Sequence, residues 1–177
     1  MSWWVITVRL PPVEAHIHAD RRLAFEFLTA FGANQGDEGA SRVIEDRGDR
    51  KLVEFHSSTP TLTGKRKTYR TVEWVTLEAP TEILFEGVEG PLSLLRDRFT
   101  LEDLQGCTRF LYESTVGVPG WVLGWLVAQT YVRTLLGKFM REHTASMKEK
   151  IEDRARKSRV YPYKDCGVDS INEDRGR

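Results

Sequence analysis

Residues 13–25 read VEAHIHADRRLAF, and the periodicity changes in the middle of this stretch. Up to Ile17, apolar residues alternate with polar ones, which is the two-residue period of a strand with one solvated face. Asp20 is then suited to cap a helix. Apolar residues recur at spacings of three and four as far as Gly32, namely Leu23, Ala24, Phe27, Leu28 and Phe31. The stretch therefore predicts a first strand followed by a helix of about three turns.

The rest of the chain continues this pattern with strands and one long helix. The first strand is expected to extend from Trp4 to Ala19 and to bend at Pro11-Pro12, because proline cannot donate to a ladder. Turn residues then separate six strand candidates, at 41–46, 51–59, 65–77, 82–87, 92–101 and 108–118. Residues 120 to about 157 have the apolar spacing of a single helix. The sequence predicts an α+β domain, with a curved antiparallel sheet of about seven strands around a long C-terminal helix.

This order of elements resembles that of the helix-grip proteins, also called the START-like or polyketide cyclase/dehydrase-like superfamily. The resemblance covers about residues 3–157, and the segments that carry it are 13–25, 99–102 with 106–110, and 117–120. These segments are similar to the family's opening strand and helix, its final hairpin and its entry into the last helix. The family more usually has a proline after the small residue at the helix start, where this sequence has Asp20-Arg21-Arg22. The resemblance implies a cavity for a small hydrophobic molecule, in a superfamily of carriers, sensors and enzymes.

Length and charge limit the organisation and the partners. We expect one domain at residues 1–157, followed by a polar and poorly ordered C-terminal tail at 158–177. The 26 basic and 26 acidic side chains cancel, so the broad positive field of a nucleic-acid-binding protein is missing. The densest basic run, at 64–67, is more typical of a solvated strand entrance than of a binding patch.

Two cysteines, Cys107 and Cys166, lie far apart in the sequence with no further thiol or histidine at metal-ligand spacing. Neither a disulfide nor a zinc site is predicted, and a reducing, cytoplasmic location is expected. No signal peptide is recognised at residues 1–8. The apolar stretch 117–127 is too short to span a bilayer.

Strand alternation predicts which side chains line the concave side of the sheet. One parity within each strand holds Val53, Phe55, Ile83, Phe85, Leu95, Phe99, Leu101, Phe110, Tyr112 and Ser114. Such residues serve either as ordinary core or as the lining of a cavity. The predicted ligand-binding residues are Phe55, Arg70, Trp74, Phe85, Phe99, Tyr112 and Trp125.

Polar residues on an apolar parity discriminate between core and cavity, because a buried polar group needs a partner. Asp97 shares parity with Phe99, and Arg70 shares parity with Trp74. An internal pair between Asp97 and Arg70 could therefore hold the polar end of a ligand, although a bulge would place either residue in solvent. His143, near Phe139 on the long helix, is either a satisfied core histidine or a polar group at the cavity floor.

No nucleophile elbow, phosphate loop or dinucleotide fingerprint occurs in the sequence, and no cofactor is expected. His16 and His18 alternate with Ala15 and Ile17, so they are expected to face water. Without a third ligand they do not predict a metal site. If the protein is an enzyme, the candidate acid and base groups are Asp97, Tyr112 and His143.

Three functions remain open from the sequence. The first is binding of a lipid, quinone or polyketide-like molecule by a carrier or sensor. The second is a cyclase or dehydratase acting on such a molecule. The third is an interaction module that uses the apolar patch Trp121–Val127, with weak membrane or homodimer contact through Trp121 and Trp125.

Overall fold

The computed structural model describes residues 5–32, 39–60, 66–119 and 133–166 of the chain. Within these ranges the elements are β1 Val5–Arg9, β2 Val13–Ile17, α1 Arg21–Leu28, β3 Gly39–Asp46, β4 Arg50–Pro60, β5 Arg66–Glu78, β6 Glu82–Glu89, β7 Leu94–Leu104, β8 Cys107–Pro119 and α2 Gly137–Lys157. The predicted α+β fold, an antiparallel sheet with a short helix near its start and a long helix at its end, is confirmed.

All strands belong to one antiparallel sheet. The order is β1-β8-β7-β6-β5-β4-β3, and β2 also pairs with β8. The predicted first strand is thus divided in two, with β1 opposite residues 115–119 and β2 opposite 108–112 of the same partner. The break falls at Leu10–Pro12, because neither proline has an N–H group to donate. This division accounts for the eighth strand.

Helix α1 begins where the sequence predicts. Asp20 is its N-cap and accepts a hydrogen bond from the Arg22 N–H at 2.8 Å. Leu23 and Ala24 are buried, but the helix ends at Leu28, before the predicted end at Gly32. The apolar stripe of the sequence therefore continues beyond the helix into the turn that follows it.

The predicted hairpin turn at residues 47–50 is also confirmed. Gly48 has a φ of 83°, which favours glycine, and its N–H donates to Asp46 Oδ1 at 2.8 Å. Strands β3 and β4 pair on either side of this turn.

Helix α2 packs one apolar stripe into the core. Its buried residues include Met140, Thr144, Met147, Ile151 and Ala155, at spacings of three and four. The helix contacts β2 and α1. The predicted end at Lys157 is confirmed, and a π-type turn at 133–136 leads into the helix, whereas 120–132 lie outside the described residues. Among the described residues, neither helix has the length and hydrophobicity that a membrane span requires.

Residues 158–166, which follow α2, make defined contacts with the rest of the fold, so the prediction of a poorly ordered tail is wrong for these residues. We call residues 158–166 the C-terminal segment. The Tyr163 N–H donates to Ala155 O and the Lys164 N–H to His18 O, each at 3.2 Å. Tyr161 packs against the hydrophobic core. These contacts attach the C-terminal segment to the end of α2 and to the end of β2.

The returning segment joins the two cysteines in a disulfide. Cys107 and Cys166 have Cα atoms 6.4 Å apart although 59 positions separate them in the sequence. The expectation of no disulfide is therefore wrong, because sequence distance says nothing about a segment that folds back. The cytoplasmic location stays a prediction, but the two cysteines no longer support it.

His16 and His18 are buried, with 6% and 4% of their surface exposed, so the prediction that they face water is wrong. The C-terminal segment covers the face of β2 on which they lie. The His18 ring stacks on Tyr163 with centroids 5.4 Å apart, and the backbone N–H of His18 donates to Glu152 Oε1 at 3.0 Å. Both faces of β2 are therefore covered, which strand alternation alone cannot reveal.

Opening the disulfide is expected to destabilise the fold. The cross-link closes a long loop in the unfolded chain, so Cys166→Ser should lower the free energy of unfolding by about 2–4 kcal/mol. Urea unfolding with a metal chelator in the buffer measures this change. A thiol reductant should shift the wild-type midpoint to that of the variant and leave the variant unchanged. An unchanged wild-type midpoint after complete reduction would contradict the stabilising role.

Candidate functional site

The strand registers place the predicted apolar parity on one face of the sheet, which we call the inner face. Phe85 lies opposite Asp97, Asp97 opposite Ser114, and Phe99 opposite Tyr112. Facing residues of neighbouring strands point to the same side, so these side chains line one surface. That surface belongs to the core cluster that also contains the buried residues of α1 and α2. The predicted parity is thus correct.

Aromatic rings form a continuous wall along the inner face. The ring centroids of Phe55 and Phe85 are 6.2 Å apart, those of Phe85 and Phe99 are 4.9 Å apart, and those of Phe99 and Tyr112 are 4.7 Å apart. Phe31, just beyond α1, stands edge-on to Phe55 at 5.8 Å. Edge-to-face contacts of this kind fix the rings relative to one another. The predicted position on this face is therefore correct for Phe55, Phe85, Phe99 and Tyr112, and their contact with a ligand stays a prediction.

Asp97 and Tyr112 lie together within this aromatic surface. The Tyr112 hydroxyl donates to Asp97 Oδ2 at 3.0 Å, whereas Asp97 Oδ1 is buried with no hydrogen-bond partner in the described part of the chain. Burial raises the pKa of Asp97, and the hydroxyls of Ser114 and Tyr112 offset part of that rise. Burial also raises the pKa of Tyr112, and the negative charge of Asp97 adds to the rise.

Glu73 extends the polar groups of the inner face, and its position there was not predicted from the sequence. It is 7% exposed, and its Oε1 accepts a hydrogen bond from the Thr71 hydroxyl at 2.6 Å. Burial raises the pKa of Glu73 to about 7, and the charge of Asp97 acts in the same direction. We call Glu73, Asp97, Tyr112 and Ser114 the polar row.

Arg70 and Trp74 lie on the other side of the sheet, the outer face, so their predicted position inside is wrong. Arg70 Nε donates to Glu54 Oε2 at 2.6 Å and Arg70 Nη1 to Glu89 Oε2 at 2.7 Å. The Trp74 ring has guanidinium groups 4.8 and 4.7 Å from its centroid, those of Arg47 and Arg50. The proposed Asp97–Arg70 pair therefore does not form. The cause is strand parity, because Glu73 and not Arg70 points inward from β5.

Two other predicted residues are less informative. His143 is partly buried on α2, where its ring stacks on Phe139 at 5.7 Å, and its proton-transfer role stays a prediction. Trp125, like the whole patch Trp121–Val127, lies outside the described residues. Membrane or homodimer contact through this patch stays a prediction as well.

The described residues contain one group of three side chains whose ligating atoms could together hold a metal ion, formed by His16, Cys107 and Cys166. It does not belong to the polar row.

Carboxyl and hydroxyl groups of the polar row supply the inner face with hydrogen-bond donors and acceptors. This arrangement suits recognition of a polar atom on an otherwise apolar molecule, or the transfer of a proton to it.

Comparisons with known proteins identify the fold. No family model and no curated protein sequence matches the chain. Among solved structures, the chain is similar to the protein TTHA0849 from Thermus thermophilus, with a TM-score of 0.67, 14% identity, and coverage of 84% of this chain and 99% of that one. The chain is also similar to the Zhui aromatase/cyclase from a Streptomyces species. The TM-score is 0.63 and the identity 14%, and the match covers 89% of this chain and 98% of that one.

A START superfamily protein from Mycobacterium smegmatis is similar to the same extent, with a TM-score of 0.62, 13% identity, and coverage of 85% of this chain and 98% of that one. Identities this low show the fold alone. The helix-grip fold of START-like and polyketide cyclase-like proteins is thus confirmed for this chain, and function has to be argued from the site.

Replacing Glu73 with Gln is expected to stabilise the protein above neutral pH. The pKa is about 7 in the folded state and 4.5 for an unperturbed glutamate, so the folded protein binds the extra proton between these values. Wild-type stability should therefore fall as pH rises through this window, by at most about 3 kcal/mol. Urea unfolding of both proteins at several pH values measures the difference, which should grow as pH rises.

The matched control is Glu149→Gln, on the exposed side of α2. It should follow the wild-type pH dependence. A Glu73→Gln variant that does so as well would show that Glu73 is not a buried acid with a raised pKa.

Proposed function

We propose that this helix-grip protein binds a small hydrophobic molecule with one polar end, such as a lipid, quinone or polyketide-like compound, between the inner face and α2. It would then act as a carrier or sensor of that molecule. The observation that carries the proposal is the polar row within the aromatic wall, where Asp97 Oδ1 is buried without a hydrogen bond in the described ranges. The fold shared with START proteins and an aromatase/cyclase supports such a binding site.

The protonation of the row indicates which polar end it accepts. With a pKa of about 7, Glu73 is protonated in about half of the molecules at neutral pH and then offers an O–H donor. A ligand carbonyl can accept that hydrogen bond, and a ligand hydroxyl can donate to Asp97 Oδ1. An anionic ligand end would lack a counter-charge, because no cationic side chain takes part in the contacts found for the row among the described residues. The row therefore favours neutral carbonyl and hydroxyl compounds.

Most of the binding free energy is expected to come from the apolar part of the ligand. Buried apolar area contributes about 25 cal/mol per Å², so a ring system packed on the phenylalanine wall gains several kcal/mol. One hydrogen bond to the polar row adds about 1 kcal/mol net. Loss of a polar group should therefore weaken binding by roughly tenfold or less and leave the apolar preference intact.

The first test is native mass spectrometry of the gently purified chain, followed by organic extraction of whatever it carries. A stoichiometric apolar passenger supports the proposal and names the ligand class. Protein that is free of ligand and also resists loading with lipids, quinones and aromatic polyketides would contradict it.

Substitutions in the polar row are expected to weaken ligand binding. Tyr112→Phe and Asp97→Asn should each lower affinity by roughly three- to tenfold, because each change removes or alters one hydrogen bond. Titration with the extracted ligand, followed by tryptophan fluorescence or calorimetry, measures the change. The matched controls are Tyr163→Phe in the C-terminal segment and Asp153→Asn on the exposed side of α2. Equal losses of affinity in the polar-row variants and in the controls would contradict the assignment of the polar row as the binding site.

A second candidate function, a cyclase- or dehydratase-like enzyme, is favoured by one specific observation. Glu73 has a pKa of about 7 next to a second buried acid, Asp97, and such a group can take and return a proton at neutral pH. Proton transfer at an enolisable carbon of a ligand held on the aromatic wall is the reaction class that this arrangement suits. Asp97, Tyr112 and His143 remain the further candidate groups.

The two functions differ in what Glu73→Gln removes. If the protein is an enzyme, this variant should lose roughly a hundredfold or more in turnover of the ligand class found by extraction, and its affinity should change only a few-fold. Deuterium exchange at the enolisable carbon of the bound ligand provides the assay. Absence of exchange and turnover in the wild type leaves the carrier or sensor function, whereas full activity in the variant would exclude Glu73 as the acid or base.

A further inference from the structure

A second group of chemically active side chains lies on the outer face, away from the polar row. It consists of His16 in β2, Cys107 at the start of β8 and Cys166 in the C-terminal segment, and we call it the outer cluster. His16 is opposite Arg109, whose side chain points outward, whereas the next residue, Phe110, belongs to the inner wall. Side chains alternate along a strand, so the sheet separates the outer cluster from the polar row.

The outer cluster contains more than a cross-link requires. A disulfide needs only its two cysteines, but a ring nitrogen of His16 lies in the same place, with all three ligating atoms within 4.8 Å of one another. His16 and Cys107 are buried, which limits the positions that they can adopt. Thiolate sulfur and imidazole nitrogen are the ligands that zinc prefers in proteins.

The backbone geometry suits metal chelation as well as a disulfide. The Cα atoms of Cys107 and Cys166 are 6.4 Å apart. In a tetrahedral site with Zn–S bonds of about 2.3 Å, the two sulfurs lie about 3.8 Å apart. Once the S–S bond is broken, rotation about the Cα–Cβ bonds can provide that separation without moving the strand.

Contacts other than the disulfide also hold the parts of the outer cluster together. The His18 ring stacks on His16 at 5.2 Å, and His18 Nδ1 lies 3.1 Å from Lys164 O. The Lys164 N–H donates to His18 O, so the C-terminal segment is tied to the end of β2 by its backbone. Cys166 therefore has an attachment to β2 that does not depend on its bond to Cys107.

We propose that the reduced protein binds one Zn²⁺ through His16 and the thiolates of Cys107 and Cys166, with water in the fourth position. A dithiol reductant first transfers two electrons and two protons to the Cys107–Cys166 disulfide and is itself oxidised to a disulfide. Zn²⁺ then displaces one proton from each thiol. Reoxidation of the pair by a disulfide reverses both steps and releases the metal. The disulfide and the zinc complex exclude each other, so the redox state of the protein controls metal binding.

The experiment uses the full chain. The protein is reduced with a dithiol, freed of reductant under anaerobic conditions, checked for two free thiols, and titrated with Co²⁺ as an optical probe. One equivalent should produce thiolate-to-cobalt charge-transfer bands and tetrahedral ligand-field bands, and one equivalent of Zn²⁺ should remove them. Oxidised protein should give no bands. Reduced protein with two free thiols and no bands would overturn the proposal, and the cysteines would then serve as a cross-link only.

Variants separate the three ligands. Cys166→Ser lies in the peripheral C-terminal segment, and circular dichroism can verify that its fold persists. It should lose about half of the charge-transfer intensity and bind Zn²⁺ roughly a hundredfold more weakly. His16→Ala should keep both sulfur contributions and change the ligand-field bands. His56→Ala, which removes a more exposed histidine from β4, is the matched control and should bind like the wild type. Wild-type affinity in Cys166→Ser would overturn the proposal.

Discussion

The hydrogen-bond ladders of β8 hold the rest of the structure in place. This 13-residue strand pairs with β7 along one edge and with both β1 and β2 along the other. Its inward residues include Tyr112 and Ser114 of the polar row, and its outward residues include Cys107 of the outer cluster. A register slip of one residue would exchange the inward and outward sets. Both candidate sites therefore depend on the same ladders.

Burial of the carboxyl groups of the polar row lowers the stability of the fold, and this penalty indicates a role in function. Two carboxyl groups close enough to affect each other lie among phenylalanine rings, where the charged form is poorly solvated. A sheet selected for stability alone would place apolar residues at Glu73 and Asp97. Groups retained against such a penalty are typical of binding and catalytic sites, where stability is exchanged for function. The similar solved structures share only 13–14% of their residues with this chain and show its fold alone, so these residues are the better guide to function.

Local patterns predicted much of this molecule. Strand alternation was enough to place Phe85, Phe99 and Tyr112 on one face, and the cap at Asp20 marked the start of α1. Both depend on neighbours in the sequence, so the sequence alone contains the information. Glu73 was missed because β5 has apolar residues on both parities and its pairing with β6 is irregular between Val72 and Glu73. Parity cannot be assigned to such a strand before its partners are known.

The outer cluster could not be predicted for a different reason. His16 lies on a strand whose alternation is regular, yet it is buried, at the end of β2 to which the C-terminal segment returns. Cys107 and Cys166 approach one another through the same segment. A segment that folds back in this way does not change the hydrophobic periodicity of β2 or of the C-terminal segment itself. Separation along the chain was thus a poor guide to distance in the fold.

The connection of β1 and β2 to β8 also has a consequence for the order of folding during synthesis. Strands β3 to β8 form a meander in which each strand can pair with the one made just before it. Strands β1 and β2 leave the ribosome first, yet Val13 pairs with Tyr112, so they wait until nearly the whole sheet has been made. Long-range pairing of this kind slows folding and leaves unpaired strands exposed to other nascent chains. Of the strands in this sheet, the two that are translated first are therefore the last to pair.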